Sequence, residues 1–395
     1  MATQPPLPAP PLQIGITPDG RLPLPWLADA LARAAQLGAA HALLVHGPAG
    51  AGQLELGLLL AQAELCEAPG TAGAATRRPC GRCTSCHLVG TRVHPDLLIL
   101  LPDLLRVQLD WVDEEDSKLN KSDAKPSKDI RIDQVRQAIA WAQQTPGRGR
   151  GKVMLVHPAD ALNGPSANAM LKTLEEPPGR LRLLLTSTDP ERLLPTVRSR
   201  CQRLRLDLPA TAAAAAWLTA HGVADPAALL QAAGGSPLQA WAWAGEGIDA
   251  ALLATLPRRV AAGDPSALVG RPIPRVVDLL LRLSHDAQVL AAGGVPRFFK
   301  AAHMPAGVDL PALRAWQAVL QRTARFDEHP WNAGLLIESL VSQGVACWPV
   351  AAKATAASSA ARTPAASTAA RTPSARAPTT PTPTTPTPAT PTPAA

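Results

Sequence analysis

Four of the six cysteines in this chain are spaced as ligands of a single metal ion. Cys66 is followed after thirteen residues by Cys80, Cys83 and Cys86, with two residues between successive members of that group. Four thiolates at this spacing can close a tetrahedral zinc site, and a closed site is structural because no coordination position stays open for a substrate. We therefore predict structural zinc in a module at residues 66–87.

The cysteine pattern leaves two alternatives open. The CxxCxxC spacing also suits an iron–sulfur cluster, and the thiols could be buried without any metal. His87, which follows Cys86, could replace one ligand, but with four cysteines available we expect it near the site or at the surface. Cys201 and Cys347 are isolated in sequence, and we predict that both are small buried apolar residues.

A glycine-rich turn, GPAGAGQL at residues 47–54, lies between a short apolar run and a helical pattern. A strand, a glycine turn and a helix form the frame of a phosphate-binding loop, here with Gly47 and Gly52 at its glycine positions. A working loop continues with Lys, which neutralises phosphate, and with Ser or Thr, which binds Mg²⁺. This chain has Gln53 and Leu54 instead.

The acidic partner of such a loop is missing as well. After the apolar strand VMLV an active ATPase would place an Asp-Glu pair to hold Mg²⁺, but this chain has His157 and Pro158. The lysine, the hydroxyl and the acidic pair are absent together. We therefore predict an ATPase scaffold that has lost its own chemistry and binds no ATP, and a chance glycine turn is the alternative.

The elements that must position these residues change character near residue 206. Before it, apolar runs at residues 42–45, 96–101, 153–156 and 181–186 alternate with helical patterns, which indicates a parallel sheet covered on both faces. After it, Ala- and Leu-rich helical patterns replace the strands. The predicted fold class is therefore α/β followed by all-α.

The two ends of the chain differ from its body. Residues 1–20 are predicted to be a flexible leader and residues 350–395 a disordered Thr/Pro/Ala-rich tail. The net charge is +7, and four cations but no acid follow residue 349, so the rest of the chain carries only +3. That balance does not demand a nucleic-acid-coating protein. No apolar run approaches the length of a membrane span, so we predict a cytoplasmic protein.

Two further segments complete a specific resemblance. They are ANAMLKTLEEPP, residues 167–178, and TSTDPERLLPTVRSRC, residues 186–201. In the first, two glutamates end a helical pattern, where they are either part of a functional surface or simply solvated. Together with the glycine turn and the cysteines, these segments resemble the delta-prime type of subunit in the bacterial DNA polymerase III clamp loader. The resemblance covers about residues 22–206.

The resemblance implies an AAA+ module with an α/β core at residues 21–206, a helical lid at 207–250 and a helical collar for oligomerisation at 251–349. It implies that Arg200 is an arginine finger supplied to the ATP site of a neighbouring subunit. The implied partners are the gamma/tau ATPase subunits, the delta subunit, the sliding clamp and, through the assembled complex, primer-template DNA. The chain would have no independent ATPase activity but would belong to the DNA-directed DNA polymerase holoenzyme, a nucleotidyltransferase.

Two alternative functions remain open. An ATP-hydrolysing gamma/tau-type subunit resembles the same pattern, but Gln53 and Leu54 disfavour it. A zinc-ribbon nucleic-acid-binding protein would need aromatic residues for base stacking, and residues 66–87 contain none. The polar insertion around residues 113–128 suggests a solvated loop and no role.

Overall fold

The computed structural model describes residues 13–37, 40–68, 79–112, 126–325 and 331–349. Within them, five strands and fourteen α-helices follow one another along the chain. They are α1 Leu27–Gln36, β1 Ala42–His46, α2 Gln53–Leu65, α3 Thr84–Gly90, β2 Leu97–Leu100, α4 Asp103–Gln108, α5 Ile132–Ala142, β3 Lys152–Val156, α6 Gly164–Glu175, β4 Leu181–Ser187, α7 Pro195–Arg198, β5 Gln202–Arg205, α8 Thr211–Ala220, α9 Pro226–Ala232, α10 Pro237–Gly245, α11 Ala250–Ala261, α12 Ile273–Ala291, α13 Leu310–Arg325 and α14 Ala333–Val345.

The strands form one parallel sheet in the order β2-β3-β4-β1-β5. Parallel neighbours cannot be joined by a tight turn, so longer segments carrying helices connect them. In the register of β1 and β4, His46 lies opposite Ser187. The carboxyl ends of β3, β4 and β1 are therefore adjacent, and the glycine turn after β1 lies at that edge of the sheet.

Successive residues of the central strands enter different hydrophobic clusters, because side chains alternate between the two faces of a strand. In β1, Leu43 and Val45 belong to one cluster and Leu44 to the other. The first cluster continues through α1 and α2 into the C-terminal helices. The second is covered by α5 and α6. Helices on both faces confirm the predicted parallel α/β sheet.

Helix α2 lies at the centre of the first cluster, and every residue in it except Glu64 is buried or nearly so. A mainly apolar helix that is buried on nearly all sides needs neighbours on nearly all sides, although α2 also carries the buried polar residues Gln53, Glu55 and Gln62. Its neighbours are α1, α3 and the strands β1, β3 and β4. Gly57 allows the closest approach, because a Cβ there would lie 2.7 Å from Leu155.

The C-terminal half is helical, as predicted, and two aromatic contacts fix its packing. Trp316 of α13 donates its indole N–H to the Leu340 carbonyl of α14 at 2.8 Å and meets the Trp348 ring edge-to-face. Arg282 of α12 lies over the Trp243 ring of α10 and donates to the Ala232 carbonyl at the end of α9. The Arg282 contacts thus join α9 and α10 to α12, and the Trp316 contacts join α13 to α14 and the residues after it.

A buried carboxylate closes the segment after α12. Asp286 has no exposed surface, and it accepts hydrogen bonds from the backbone N–H groups of Arg297, Phe298 and Phe299 at 2.9, 2.7 and 2.7 Å. Three donors directed at one carboxylate satisfy backbone groups that would otherwise be buried without partners.

The structure differs from the sequence prediction in several elements. Strand β5 and helices α3, α4, α5 and α7 were not predicted. Residues 13–20, expected in the flexible leader, contact the body instead, since the N–H of Ile16 donates to the Gln62 side chain at 2.7 Å. Residues 113–125 of the polar insertion and residues 350–395 of the tail lie outside the described residues. None of the described helices is long and apolar enough to cross a membrane.

The Asp286→Asn substitution should destabilise the C-terminal helices. An amide keeps one acceptor oxygen but turns an NH₂ group toward backbone donors, so we expect a loss of about 1–3 kcal/mol in the free energy of unfolding. Urea unfolding followed by circular dichroism measures it. The matched control is Asp264→Asn, because Asp264 is half-exposed and accepts from the Ser266 backbone N–H at 2.9 Å and from Arg259 Nη1 at only 3.5 Å. Equal effects of the two substitutions would contradict the structural role of Asp286.

Candidate functional site

The four predicted cysteine ligands lie together in the structure. Cys66 follows α2, while Cys80, Cys83 and Cys86 surround the start of α3. The Sγ atoms of Cys66 and Cys83 are 3.9 Å apart, those of Cys80 and Cys86 are 3.8 Å apart, and all four lie within 4.8 Å of one another. Four sulfurs at the Zn–S distance of about 2.3 Å would be separated by about 3.8 Å. The site could therefore hold a metal ion.

Backbone N–H groups point at the sulfurs of this cluster. Cys80 Sγ accepts from the N–H groups of Arg82 and Cys83 at 3.4 and 3.2 Å. Burial raises the pKa of Cys80, whereas these two N–H groups, together with hydrogen bonds to the thiols of Cys83 and Cys66, lower it, and the resulting pKa is about 6. Cys83 Sγ accepts in the same way from the Cys86 N–H at 3.4 Å. Such donors favour the thiolate form that metal binding requires.

The module is held against α2 and the N-terminal segment. The Gln62 side chain donates to the Cys86 carbonyl at 3.1 Å and accepts from Ile16. Gly81 has a φ of +68°, and a Cβ there would lie 2.3 Å from the Thr17 carbonyl oxygen. Only glycine fits this turn. His87 is exposed, so it stays outside the four-sulfur cluster.

Gln53 closes the glycine turn from inside. Its side chain is buried, and its amide donates to the carbonyls of Gly47 and Pro48 at 2.8 and 2.7 Å. A lysine at this position would direct its charge at a phosphate, whereas the Gln53 amide donates its hydrogens to carbonyls of the turn itself. Leu54 is also buried, in the first hydrophobic cluster. Neither side chain is free to contact a nucleotide.

The start of α10 packs directly on the glycine turn. A Cβ on Gly50, which has a φ of +76°, would lie 2.1 Å from Ser236 Oγ. On the other side, a Cβ on Gly47 would lie 1.9 Å from the Leu206 carbonyl oxygen. The glycines therefore allow close packing against neighbouring segments. Gly52, at a φ of +106°, begins α2 in a conformation that favours glycine.

His157 and Pro158 follow β3, at the positions where an active ATPase would carry an acidic pair, and His157 bonds to a residue of β4. His157 Nδ1 lies 2.6 Å from the Thr186 hydroxyl of β4. Burial lowers the pKa of His157 to about 4, so the ring is uncharged at neutral pH. An imidazole and a hydroxyl bonded to each other offer no carboxylate to Mg²⁺.

Arg200 lies after α7, at the surface. Its Nε donates to Glu175 Oε1 at 2.8 Å, and its Nη2 also bonds that oxygen. Its Nη1 donates to the Thr196 carbonyl at 2.8 Å. The side chain keeps a third of its surface exposed. Cys201 beside it is buried, as is Cys347, and this confirms the prediction for both residues.

The sequence analysis left the role of Glu175 open and missed two other residues that support these sites, Gln62 and Ser236. Glu175 is the last residue of α6, where a carboxylate is disfavoured by the helix dipole, and that placement was the available signal. Gln62 and Ser236 gave no signal, because their partners lie far away in sequence. The cysteine cluster, the glycine turn and Arg200 occupy separate places on the α/β core.

Comparison with known proteins identifies the family. The family described as "DNA polymerase III, delta subunit" matches residues 27–209. DNA polymerase III subunit delta′ of Pseudomonas aeruginosa is 33% identical over 326 residues, which is 77% of this chain and 91% of that protein. The Escherichia coli subunit delta′ is 32% identical over 54% of this chain and 58% of its own length.

A different subunit is similar over a shorter range. DNA polymerase III subunit tau of Escherichia coli is 33% identical over 178 residues, which is 45% of this chain and 23% of that protein. The expected AAA+ type of fold, with a parallel sheet core followed by helices, is confirmed. From the glycine turn, the helical C-terminal half and the extent of the match, we conclude that this chain belongs to the DNA polymerase III delta′ subunit family.

Proposed function

We propose that this chain is a non-hydrolysing delta-prime subunit of a DNA polymerase III clamp loader. It supports ATP-driven loading of the sliding clamp onto primed DNA by contributing an arginine to a neighbouring ATPase. The observation that carries the proposal is the closure of the glycine turn by Gln53, which removes this chain's own phosphate site. Family membership supplies the clamp-loader context. We place the activity in the cytoplasm, as the sequence predicts.

The proposed partners are gamma/tau-type ATPase subunits, a delta subunit, the sliding clamp and primer-template DNA. In this assignment α8–α10 are the lid, at residues 207–250, and α11–α14 are the collar that joins subunits, at residues 251–349. The Arg282 contacts between α12 and α9–α10 support a rigid connection between lid and collar. A subunit that does not cycle through nucleotide states benefits from such a connection, because it can act as a fixed member of a ring.

Arg200 is the proposed arginine finger. A guanidinium carries a permanent charge and planar donors, and it stabilises negative charge on a transferring phosphate. Arg200 lies at the surface on a short loop that follows α7, so a neighbouring subunit can approach it. The chain thus contributes Arg200 to an ATP site that a neighbouring subunit forms.

The Arg200→Ala substitution should lower clamp- and DNA-stimulated ATP hydrolysis at the neighbouring site by about tenfold or more, because related fingers contribute about 10³ to 10⁵ in rate. The measurement uses the reconstituted loader with the phosphate-loop lysines of the other ATPase subunits replaced. Arg192→Ala removes an exposed arginine eight residues away and should change nothing. Unchanged hydrolysis with Arg200→Ala would reject the finger.

The proposed metal is structural zinc, held by Cys66, Cys80, Cys83 and Cys86. Protein purified without chelators should contain about one zinc ion per chain, measured by elemental analysis, because four sulfurs form a closed tetrahedral site. Cys83→Ser should lose the metal, and Cys201→Ser, at a buried cysteine outside the cluster, should keep it. Zinc-free wild-type protein, or iron with visible absorbance, would refute the assignment.

The isolated chain should not bind ATP. Gln53 occupies the turn and His157 replaces the acidic pair, so we expect no saturable binding below about 1 mM ATP by calorimetry. The ATPase subunit of the same loader is the positive control. Tight, Mg²⁺-dependent binding would instead favour the hydrolysing gamma/tau-type alternative.

A further inference from the structure

Glu175 and Arg200 form an ion pair that links the end of α6 to the loop after α7. The residues are 25 positions apart in sequence, and the Nε and Nη2 groups of Arg200 both donate to the same oxygen, Oε1 of Glu175. About half of the Glu175 side chain and a third of that of Arg200 are exposed. An exposed pair contributes little to stability, so stability alone does not account for this geometry.

The hydrogen bonds of the guanidinium define which of its donors stay available. Arginine has five N–H donors in one plane. Glu175 takes the edge formed by Nε and Nη2, and the Thr196 carbonyl takes one hydrogen of Nη1 at 2.8 Å. Nη1 also donates to Ser199 Oγ, but at a long distance of 3.5 Å, and Nη2 makes no further hydrogen bond within the described residues. The terminal edge formed by Nη1 and Nη2 is therefore held only weakly on one side, and after release of Ser199 it can bind two oxygens of one phosphate.

We propose that Glu175 is a positioning residue for Arg200. It binds the side edge of the guanidinium and, with the Thr196 carbonyl, keeps the terminal edge available for phosphate in the neighbouring ATPase site. The placement is unfavourable for the helix, since Glu175 ends α6 at its negative pole, and the arginine charge offsets this cost. The inference rests on the proposed finger role of Arg200.

A flexible arginine can reach a phosphate without such support, but it must then lose rotamer freedom each time. An arginine that two acceptors hold in place has lost that freedom before the neighbour docks. Small errors in placement are expensive in catalysis, where a shift of about 1 Å can cost about a hundredfold in rate. Loss of Glu175 should therefore affect kcat and leave the KM for ATP unchanged, because ATP binds to the neighbour.

The test uses the reconstituted loader with one active ATPase site. Glu175→Ala should lower kcat about tenfold, and Glu175→Gln, which retains the accepting oxygen without the charge, should give an intermediate loss. Glu176→Ala is the matched control, because it removes an exposed carboxylate one residue away. Thermal unfolding of each variant checks that the fold is retained.

A double-substitution cycle separates positioning from any independent effect. If Glu175 acts through Arg200, then Glu175→Ala should cause no further loss in a chain that already carries Arg200→Ala. Three results would overturn the inference while leaving the finger intact. The rate losses of Glu175→Ala and Arg200→Ala could multiply in the double variant, Glu175→Ala could hydrolyse ATP at the same rate as Glu176→Ala, or Glu175→Ala could be faster than the wild-type chain. An unaffected Arg200→Ala loader would instead reject the proposed finger function.

Discussion

Burial of α2 on nearly all sides is the constraint around which the described part of the chain is arranged. The helix begins at the glycine turn with Gln53, whose amide closes that turn, and it ends just before Cys66, a predicted metal ligand. Between them, Gln62 binds the N-terminal segment and the Cys86 carbonyl. Since the apolar side chains of this helix must be buried, the cysteine module and the N-terminal segment cover part of its surface. The cysteine cluster and the glycine turn therefore lie at opposite ends of the same helix.

The two ends of α2 have opposite chemical properties. At the cysteine end, backbone N–H groups converge on the sulfur of Cys80 and favour its charged thiolate form, while burial raises the pKa of the Cys66 and Cys86 thiols. At the glycine end, backbone carbonyls accept the Gln53 amide, and the turn is neutral and closed. His157 and Thr186 extend this neutral region across the sheet edge. Arg200, the charged group that we propose acts on phosphate, lies elsewhere, at the surface beside Glu175.

Much of the α/β core could be predicted from sequence, because buried parallel strands have continuous apolar runs. Strand β5 escaped prediction, since QRLR buries only Leu204 and forms the edge of the sheet. Helix α3 is short and begins among the cysteines that the pattern assigned to metal binding. The N-terminal segment was expected to be a flexible leader because of its proline content. Its contact with Gln62 could not be predicted, because the two partners are 46 residues apart and the local sequence carries no sign of the contact.

The sequence by itself determined the chemistry of each site. Ligand types and spacing defined the four-cysteine cluster, the side chains at positions 53 and 54 predict the loss of phosphate chemistry, and one motif predicts Arg200 as the finger. Tertiary structure decided how these groups are held. The pairing of Glu175 with Arg200 and the packing of Ser236 on Gly50 join residues far apart in the chain. Local spacing encodes which atoms are present, whereas their orientation depends on contacts that form only when distant elements pack together.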